Sequence, residues 1–304
     1  MTISEFLHAL ESVVPLAAVG YAHDAVGLQV GLPEGSALTA ALFAYEATRE
    51  VFAEARKRKA NLIVAFHPLI FPNVDAITDE TRTGALIREL IKNDIALYIQ
   101  HTAFDTQPEF GTSVLMGEAL KLEDIETLAP ISRVKLFAGP HPNEGMGTIG
   151  KLPKALKRED FFRLVAETFE SPLLRHNIKG PARISRVAML GGAGMQYYEN
   201  ALSVNADAFI TADVRYHDFH RADHDNILLV DAGHAETERF VTDGAVKAAR
   251  KALEMNQNAH GAVLSLDKLL LRAHSEPNAV RYYGINEVRS GEKPRPRATL
   301  TSLT

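Results

Sequence analysis

Short apolar segments alternate with amphipathic segments along the chain, and this alternation constrains the fold more than any other feature of the sequence. Apolar residues predominate at 39–45, 61–66 and 95–100, which predicts three buried strands. Between them, 47–60 and 83–93 have the periodicity of amphipathic helices. Strand–helix–strand units of this kind predict a parallel sheet.

The second half of the chain has the same pattern, without a sequence repeat that relates it to the first half. The predicted strands are 183–190, 207–211 and 226–231, and the predicted helices are 195–204, one from about 214, and one from about His234 to about Asn256. A helix is also predicted at 3–14, and another near 158–169 within a segment richer in Pro and Gly. We therefore predict an α/β protein of two lobes. The predicted boundaries are an N-terminal lobe at 1–125, an intervening segment at 126–182, a C-terminal lobe at 183–284 that completes the site, and a mobile tail at 285–304.

Composition excludes several classes of function. Cysteine is absent, so disulfides, thiolate zinc sites, iron–sulfur clusters and cysteine nucleophiles are excluded, and any metal must be held by His, Asp and Glu. The 33 Lys and Arg residues against 38 Asp and Glu, with no basic tract, argue against dedicated nucleic-acid binding. The N-terminus lacks a secretory apolar core, and the chain has no run of about 18 apolar residues. We therefore expect a cytoplasmic protein that does not span a membrane.

Side chains that can bind a metal or move a proton follow the predicted strands, at the positions where function concentrates in open α/β sheets. They are His67 after 61–66, His101 and Asp105 after 95–100, Asp213 after 207–211, and Asp231 and His234 after 226–231. Glu238 lies four residues after His234, so one helical face presents both side chains. The helix N-terminus also favours a neutral imidazole at His234, which can then act as a metal ligand.

Each of these residues has an ordinary structural interpretation as well. His67 can cap the end of a core strand, and Asp105 can cap a turn or helix. The spacing of His234 and Glu238 also arises by chance on surface helices. Together, however, His67, Asp105, His234 and Glu238 supply two imidazoles and two carboxylates from separate strand ends, a set suited to Zn, Mn or Fe(II). We expect His101 and Asp213 to orient ligands or move protons at the same centre.

Two further patterns leave alternatives open. His217, His220 and His224 share one face of a predicted helix, which is either a metal-binding face or a solvated one from which only His217 approaches the site. We favour the second. The GGAG sequence at 191–194 is either a phosphate-binding loop or a tight strand-to-helix turn, and the turn is favoured because no complete G-x-G-x-x-G is present. The sequence also lacks the G-x-S-x-G of a serine hydrolase.

Eight segments, taken in order, resemble those of a known family. They are AHDAVGLQVG (22–31), NLIVAFHPLIF (61–71), IALYIQHTAFD (95–105), GMGTIGKL (145–152), VAMLGGAG (187–194), DAFITADVRYHD (207–218), LLVDAGHAETER (229–239) and SEPNAVRYY (275–283). The chain up to about residue 284 is similar to the NIF-three-like proteins, also called GTP cyclohydrolase I type 2 homologues. The resemblance implies a two-lobed α/β fold with a dinuclear metal site between the lobes. It also implies that the subunits assemble into ring-shaped hexamers.

The ligands of that family are a His-His pair before Pro-Leu, the Asp that closes an H-T-x-x-D segment, and the His and Glu of G-H-x-x-x-E. Carried over to this chain, the resemblance assigns His67, Asp105, His234 and Glu238, the same residues that the strand-end argument selects. The first His of the pair is replaced by Phe66, which cannot bind a metal.

Phe66 leaves three outcomes open for the metal site. One ion binds while the second is weak or absent, or His101 or His217 supplies a replacement nitrogen, or the lineage has departed from the chemistry of the family. Ala25 and Ala212 are milder departures, at positions where the family often has Asn and Gly.

The sequence is therefore consistent with two functions. The first is a metal-dependent hydrolase of a nucleotide or other phosphorylated small molecule, with one or two ions of Zn, Fe or Mn per subunit activating a water. The second is a non-catalytic metal-binding regulatory or scaffold protein with an impaired dinuclear site. Phe66 favours the second function, and the retained ligands favour the first.

Overall fold

The structure of the protein is a computed structural model that describes residues 1–17, 24–131, 144–260, 266–276 and 278–282, with the side chains of 257–260 excepted. The predicted tail at 285–304 lies outside the described residues. No helix in the described part of the chain combines the length and the apolar character needed to cross a bilayer.

The N-terminal lobe is built on a sheet whose central strands run parallel, as the alternating pattern predicts. Its elements are α1 (Ile3–Val13), β1 (Gly27–Val30), β2 (Ala41–Ala44), α2 (Arg49–Lys57), β3 (Leu62–Ala65), α3 (Arg82–Lys92), β4 (Ala96–Ile99), α4 (His101–Asp105) and α5 (Thr112–Ala119). The strand order is β1-β4-β3-β2, in which β2, β3 and β4 are parallel and β1 is antiparallel to β4. The apolar pattern does not indicate β1, since that strand mixes buried and exposed residues.

Helices cover both faces of this sheet. Thr2 and Glu5 form a capping box that starts α1, and Thr48 caps α2 through its hydroxyl. The helix α1 packs on one face of the sheet, and α2 and α3 pack on the other. Every residue of β2, β3 and β4 is therefore buried, which explains their continuous apolar sequences. The residues that follow β3 and β4 therefore extend from strands that are packed on both faces.

The C-terminal lobe is built on a mixed six-stranded sheet. Its elements are β5 (Glu123–Pro130), β6 (Gly145–Lys157), α6 (Arg158–Phe169), β7 (Arg175–His176), β8 (Arg183–Ala193), α7 (Tyr198–Ser203), β9 (Ala208–Ala212), α8 (Tyr216–Asp225), β10 (Leu228–Asp231) and α9 (His234–Thr237). The order is β5-β6-β8-β9-β10-β7, with β8, β9 and β10 parallel to one another. Of the elements within 126–182, the sequence pattern indicates only α6, because β6 begins with a glycine-rich sequence that has no apolar period.

The single long helix expected from about His234 to about Asn256 is wrong, because two helices occupy this stretch. The helix α9 ends at Thr237, and α10 (Val241–His260) begins after a tight turn in which the Val241 N–H donates to the Glu238 carbonyl (3.0 Å). The helix α10 then packs against α1 of the first lobe. Two short elements, α11 (Leu266–Leu269) and β11 (Leu270–Arg272), follow. Since β11 pairs in parallel with β2, the chain returns to the edge of the first sheet before its last described residues.

Candidate metal centre

Three of the predicted ligands meet between the two lobes. One ligand atom from each of His67, His234 and Glu238 lies within 4.8 Å of the other two. The Nε2 atom of His234 is 3.1 Å from Oε2 of Glu238, and the Nε2 atom of His67 is 3.6 Å from the same oxygen. Glu238 is buried, and the two histidines are partly exposed. The centre is thus closed on the carboxylate side and open on the imidazole side.

Local backbone structure brings these side chains together. His67 follows β3, and its N–H donates to the carbonyl oxygen of Tyr45 (3.1 Å). On the other lobe, Gly233 has a φ of +90°, which favours glycine, and it turns the chain from β10 into α9. His234 and Glu238 then meet across one turn, as their spacing predicts, although the helix ends between them.

The other nitrogen of each histidine is held by a carboxylate. The Nδ1 atom of His67 is 2.9 Å from Oε1 of Glu46, and the Nδ1 atom of His234 is 2.6 Å from Oδ2 of Asp213. With Nδ1 bound to an acceptor, each imidazole turns Nε2 toward Glu238, the arrangement found in metal-binding histidines. Asp213 thus holds the Nδ1 atom of His234.

Tyr45 holds the third ligand. Its hydroxyl donates to Oε2 of Glu238 at 2.7 Å. Burial and the charge of Glu238 raise the pKa of Tyr45, so the phenol keeps its proton and acts as a donor. Tyr45 therefore fixes the same carboxylate oxygen that faces the two imidazoles.

Asp105 lies at the same centre but outside the group of three. The hydroxyl of Thr112 donates to its Oδ1 atom at 2.5 Å. Burial and the nearby charge of Glu238 raise the pKa of the Asp105 carboxyl to about 7, although Thr112 and the imidazoles of His101 and His67 oppose the shift. Asp105 and Glu238 therefore repel each other when both are ionised, which is a stress that a cation relieves.

His101 faces His67 across the centre, with 5.7 Å between the ring centroids. Its Nδ1 atom is 2.7 Å from Oδ1 of Asp24, whose carboxylate also accepts the N–H of Thr102 (3.2 Å). Burial lowers the pKa of His101, but the hydrogen bond and charge of Asp24 outweigh it and raise the pKa overall. His101 is thus a third imidazole with Nδ1 held by a carboxylate.

The two residues predicted to move protons or orient ligands, His101 and Asp213, share an unusual backbone conformation. Their φ angles are +32° and +53°, values that non-glycine residues rarely adopt. Such conformations concentrate at functional sites, where the surrounding structure imposes them. Asp213 is exposed, as are His217, His220 and His224 on α8. The ring of His217 contacts Tyr216 (5.3 Å) and His220 (6.4 Å), so its described contacts lie on the helix surface.

Phe66 forms an apolar wall beside the centre. It is buried, and its ring centroid lies 4.9 Å from that of His67 and 5.6 Å from that of His101. Its other ring neighbours are Tyr45 (6.2 Å, stacked) and Phe104 (6.3 Å, edge-on). A side chain that cannot bind a metal therefore packs against both imidazoles.

The glycines at 191–194 combine a tight turn with a close approach to the centre. The strand β8 ends at Ala193 and a short 3-10 helix begins at Met195, so Gly194 makes the strand-to-helix turn that the sequence favours. The Gly192 N–H donates to the Thr237 hydroxyl (3.0 Å), which leaves it unavailable for a phosphate. Gly192 has a φ of +64°, and a Cβ atom on it would lie 2.3 Å from Oε1 of Glu238. Glycine is required because the backbone passes directly against the carboxylate.

Sequence reasoning did not identify Asp24, Tyr45 or Glu46. The last two follow β2 directly, so applying the strand-end rule to that strand would have found them. Asp24 lies 77 positions from its partner His101, and no local signal connects the two.

The donor set suits a divalent cation. Burial lowers the pKa of His234, but hydrogen bonds and charge from Glu238 and Asp213 outweigh it and raise the pKa to about 10. A positive charge is thus favoured at this point, and a divalent ion can supply it in place of a proton. Two imidazoles and one carboxylate form the ligand set of catalytic zinc and non-haem iron sites, in which further coordination positions stay open.

Comparison with known proteins gives consistent matches. The family model Duf34/NIF3 (NGG1p interacting factor 3) matches residues 1–268. The "GTP cyclohydrolase 1 type 2 homolog" of Streptomyces coelicolor is 32% identical over 239 residues, covering 78% of this chain and 81% of the relative. The protein of the same name from Lactococcus lactis is 32% identical over 248 residues, covering 79% and 89%.

Solved structures share the fold. A crystal structure of a Staphylococcus aureus protein superposes with a TM-score of 0.80 at 22% identity, covering 93% of this chain and 99% of that one. A Bacillus cereus protein related to NIF3 also gives 0.80 at 22% identity, covering 92% and 98%. The two-lobed α/β architecture is therefore that of these proteins.

Proposed function

Because this chain belongs to the Duf34/NIF3 family, we propose that it binds a divalent metal and is a metal-dependent hydrolase of a phosphorylated small molecule. The observation that carries the proposal is the convergence of His67, His234 and Glu238, with the second nitrogen of each histidine held by a carboxylate. A histidine with only a structural role does not need one nitrogen directed at a shared centre and the other held by a carboxylate, whereas a metal-binding histidine does.

His67, His234 and Glu238 would hold the ion, with Asp105 as a further ligand. A bound Zn, Fe or Mn ion lowers the pKa of a water so that it can act as a nucleophile near neutral pH. Glu46 and Asp213 keep the imidazoles in the ligating orientation. The open imidazole side of the centre admits the substrate.

His101 is the group best placed to hold and transfer a proton. Its Nδ1 atom is fixed by Asp24, and its ring faces His67 across the centre. Asp24 stabilises the protonated imidazole, so His101 can donate a proton to a leaving group and take it back. Its left-handed backbone conformation keeps the ring at this place.

Metal content tests the first half of the proposal. Protein purified without a metal-affinity tag is expected to contain at least one equivalent of Zn, Fe or Mn by elemental analysis. The variant His234→Ala is expected to lose it, and the matched control His220→Ala, which removes an exposed histidine of α8, is expected to retain it. No metal after incubation with each ion would contradict the proposal.

Hydrolysis is tested with defined phosphorylated compounds. The relatives carry the name of a GTP cyclohydrolase, so GTP is the first probe, followed by other nucleotides and sugar phosphates. We expect metal-dependent release of phosphate, or hydrolytic opening of the guanine ring to a ring-opened nucleotide, lost on chelation and on His101→Asn. Metal-loaded protein that turns over none of these compounds supports the alternative described next.

The alternative is a non-catalytic metal-binding regulatory or scaffold protein, and Phe66 favours it. The buried phenyl ring packs against His67 and His101 at the position where the family resemblance implies another imidazole. One ion per subunit, bound tightly without turnover, is the expected result in that case. Replacing Phe66 with His then tests whether a second ion binds.

The cellular and quaternary context is also proposed from the family. We propose a cytoplasmic homo-oligomer, a ring-shaped hexamer. Light scattering measures the subunit number directly. A monomer at micromolar concentration would contradict the ring.

A further inference from the structure

The last described segment of the chain returns to the metal centre. After β11 joins the edge of the first sheet, residues 274–276 and 278–282 pass over the ends of both ligand-bearing regions; we call this stretch the C-terminal strap. The strap has no regular secondary structure, so its path depends on side-chain and backbone contacts. Its side chains Glu276, Asn278 and Tyr282 contact the two regions that hold the metal ligands.

Glu276 contacts the region that directly follows β2. Its carboxylate accepts the backbone N–H of Tyr45, and the N–H of Glu46 also points at it. The hydroxyl of Thr242 lies 3.5 Å from its Oε2 atom. A carboxylate is thus the partner of two successive backbone N–H groups just beyond β2.

Tyr45 and Glu46 are the residues that hold the metal ligands. The Tyr45 hydroxyl donates to Glu238, and the Glu46 carboxylate binds Nδ1 of His67. Glu276 holds the backbone N–H groups of both residues, so it fixes the backbone from which both side chains extend. One carboxylate therefore sets the position of two groups that in turn orient two ligands.

The other end of the strap binds the second ligand-bearing region. Asn278 Nδ2 and the Tyr282 hydroxyl both contact Oε1 of Glu236, at 3.1 Å and 3.2 Å. Glu236 is buried and lies two residues before Glu238. The strap thus contacts a ligand-holding segment from each lobe, and these are the segments whose separation decides whether His67 and Glu238 can share an ion.

We propose that Glu276 is a positioning residue of the metal centre, which acts by fixing Tyr45 and Glu46 and through them Glu238 and His67. The inference rests on the proposed metal binding for its consequence in function. The positioning role of Glu276 can be tested separately from metal binding, because the orientation of His67 can be measured in metal-free protein. Groups that orient metal ligands typically contribute 10- to 100-fold in metal affinity, and Glu276 is one step further removed, so we expect about tenfold.

The experiment compares Glu276→Ala and Glu276→Gln with wild type. Zinc affinity is measured by competition with a chromophoric chelator, and the imidazole N–H signal of His67 is recorded in metal-free, ¹⁵N-histidine-labelled protein. We expect about tenfold weaker zinc binding in the Ala variant, a smaller loss in the Gln variant, which keeps one acceptor oxygen, and a displaced His67 signal in both. If Glu276→Ala fails to fold, the Gln variant carries the test.

Glu54 provides the matched control. It is also buried and also accepts backbone N–H groups of the strap, those of His274 and Ser275 (both 2.9 Å), but it contacts neither Tyr45 nor Glu46. Glu54→Ala is expected to loosen the strap and leave zinc affinity within about twofold of wild type. An equal loss in Glu54→Ala, or an unchanged affinity and His67 signal in the Glu276 variants, overturns the inference. Wild type that binds no zinc refutes the proposed function alone, and the His67 signal then decides the role of Glu276.

Discussion

Replacing Gly192 with alanine tests the geometry of the metal centre most sharply. A Cβ atom at this position would lie 2.3 Å from Oε1 of Glu238 and 3.0 Å from Nε2 of His234. Real Cβ contacts are not shorter than 3.0 Å, so the carboxylate oxygen must retreat by about 0.7 Å. Metal–ligand distances tolerate changes of about 0.2 Å. The Gly192→Ala variant therefore keeps all of its ligands and loses their geometry.

The expected losses in the free energy of unfolding and in zinc affinity distinguish an effect on the metal centre from an effect on the fold. An alanine at a φ of +64° costs about 1–2 kcal/mol in the free energy of unfolding, because its Cβ crowds the neighbouring carbonyl in the left-handed conformation. The end of the Glu238 side chain can swing away, so the clash adds little to that cost. Displacing one of three ligands is expected to reduce zinc affinity by at least tenfold, or about 1.4 kcal/mol.

The assay pairs chelator competition for zinc with urea unfolding of the metal-free protein. Gly35→Ala is the matched control, because Gly35 has a φ of +78° and no atom within 4 Å of the Cβ position. Both variants should lose similar stability, and only Gly192→Ala should lose zinc affinity. Zinc binding of Gly192→Ala within twofold of that of Gly35→Ala would refute the argument that the backbone is fitted to Glu238.

Three other predictions concern charge at the centre. Asp213→Asn removes the carboxylate from His234 and should lower zinc affinity about tenfold, with stability changed by no more than about 0.5 kcal/mol; a large stability loss would point to a structural role. Zinc affinity should rise about tenfold per pH unit from pH 7 to 9, because zinc must displace a proton from His234, whose pKa is about 10; pH-independent titrations would contradict this. The raised pKa of Asp105, about 7, means that metal-free protein loses stability as pH rises from about 4 to 7, where the folded state resists ionisation. Asp105→Asn should therefore be more stable than wild type at pH 8, on the order of 2 kcal/mol, and equal stability by urea unfolding would be the opposing result.

The sequence predicted the elements of the two lobes where burial is continuous. The strands β2, β3 and β4 are apolar throughout because helices cover both of their faces, and their positions follow from the pattern within two residues. The pattern did not indicate β1 and β6, in which exposure and glycine break the period. It also merged α9 with α10, because the turn at Glu238 leaves no break in the apolar spacing.

The sequence by itself predicted which side chains can gather. The strand-end rule selected His67, Asp105 and His234, because the carboxyl ends of parallel strands meet at one edge whatever the details of packing, and helical spacing added Glu238. The absence of cysteine limited their chemistry to nitrogen and oxygen ligands.

Only the tertiary structure decided how those side chains are held. Asp24, Glu46 and Glu276 are distant in sequence from the groups that they fix, and carboxylates of this kind carry no local signature. The same holds for Gly192, whose need for a missing Cβ depends on the position of Glu238, 46 residues further along the chain. Periodicity and residue spacing indicate which side chains are neighbours within one helix or strand. The orientation of a ligand depends on contacts between elements, which exist only after the two lobes have packed together.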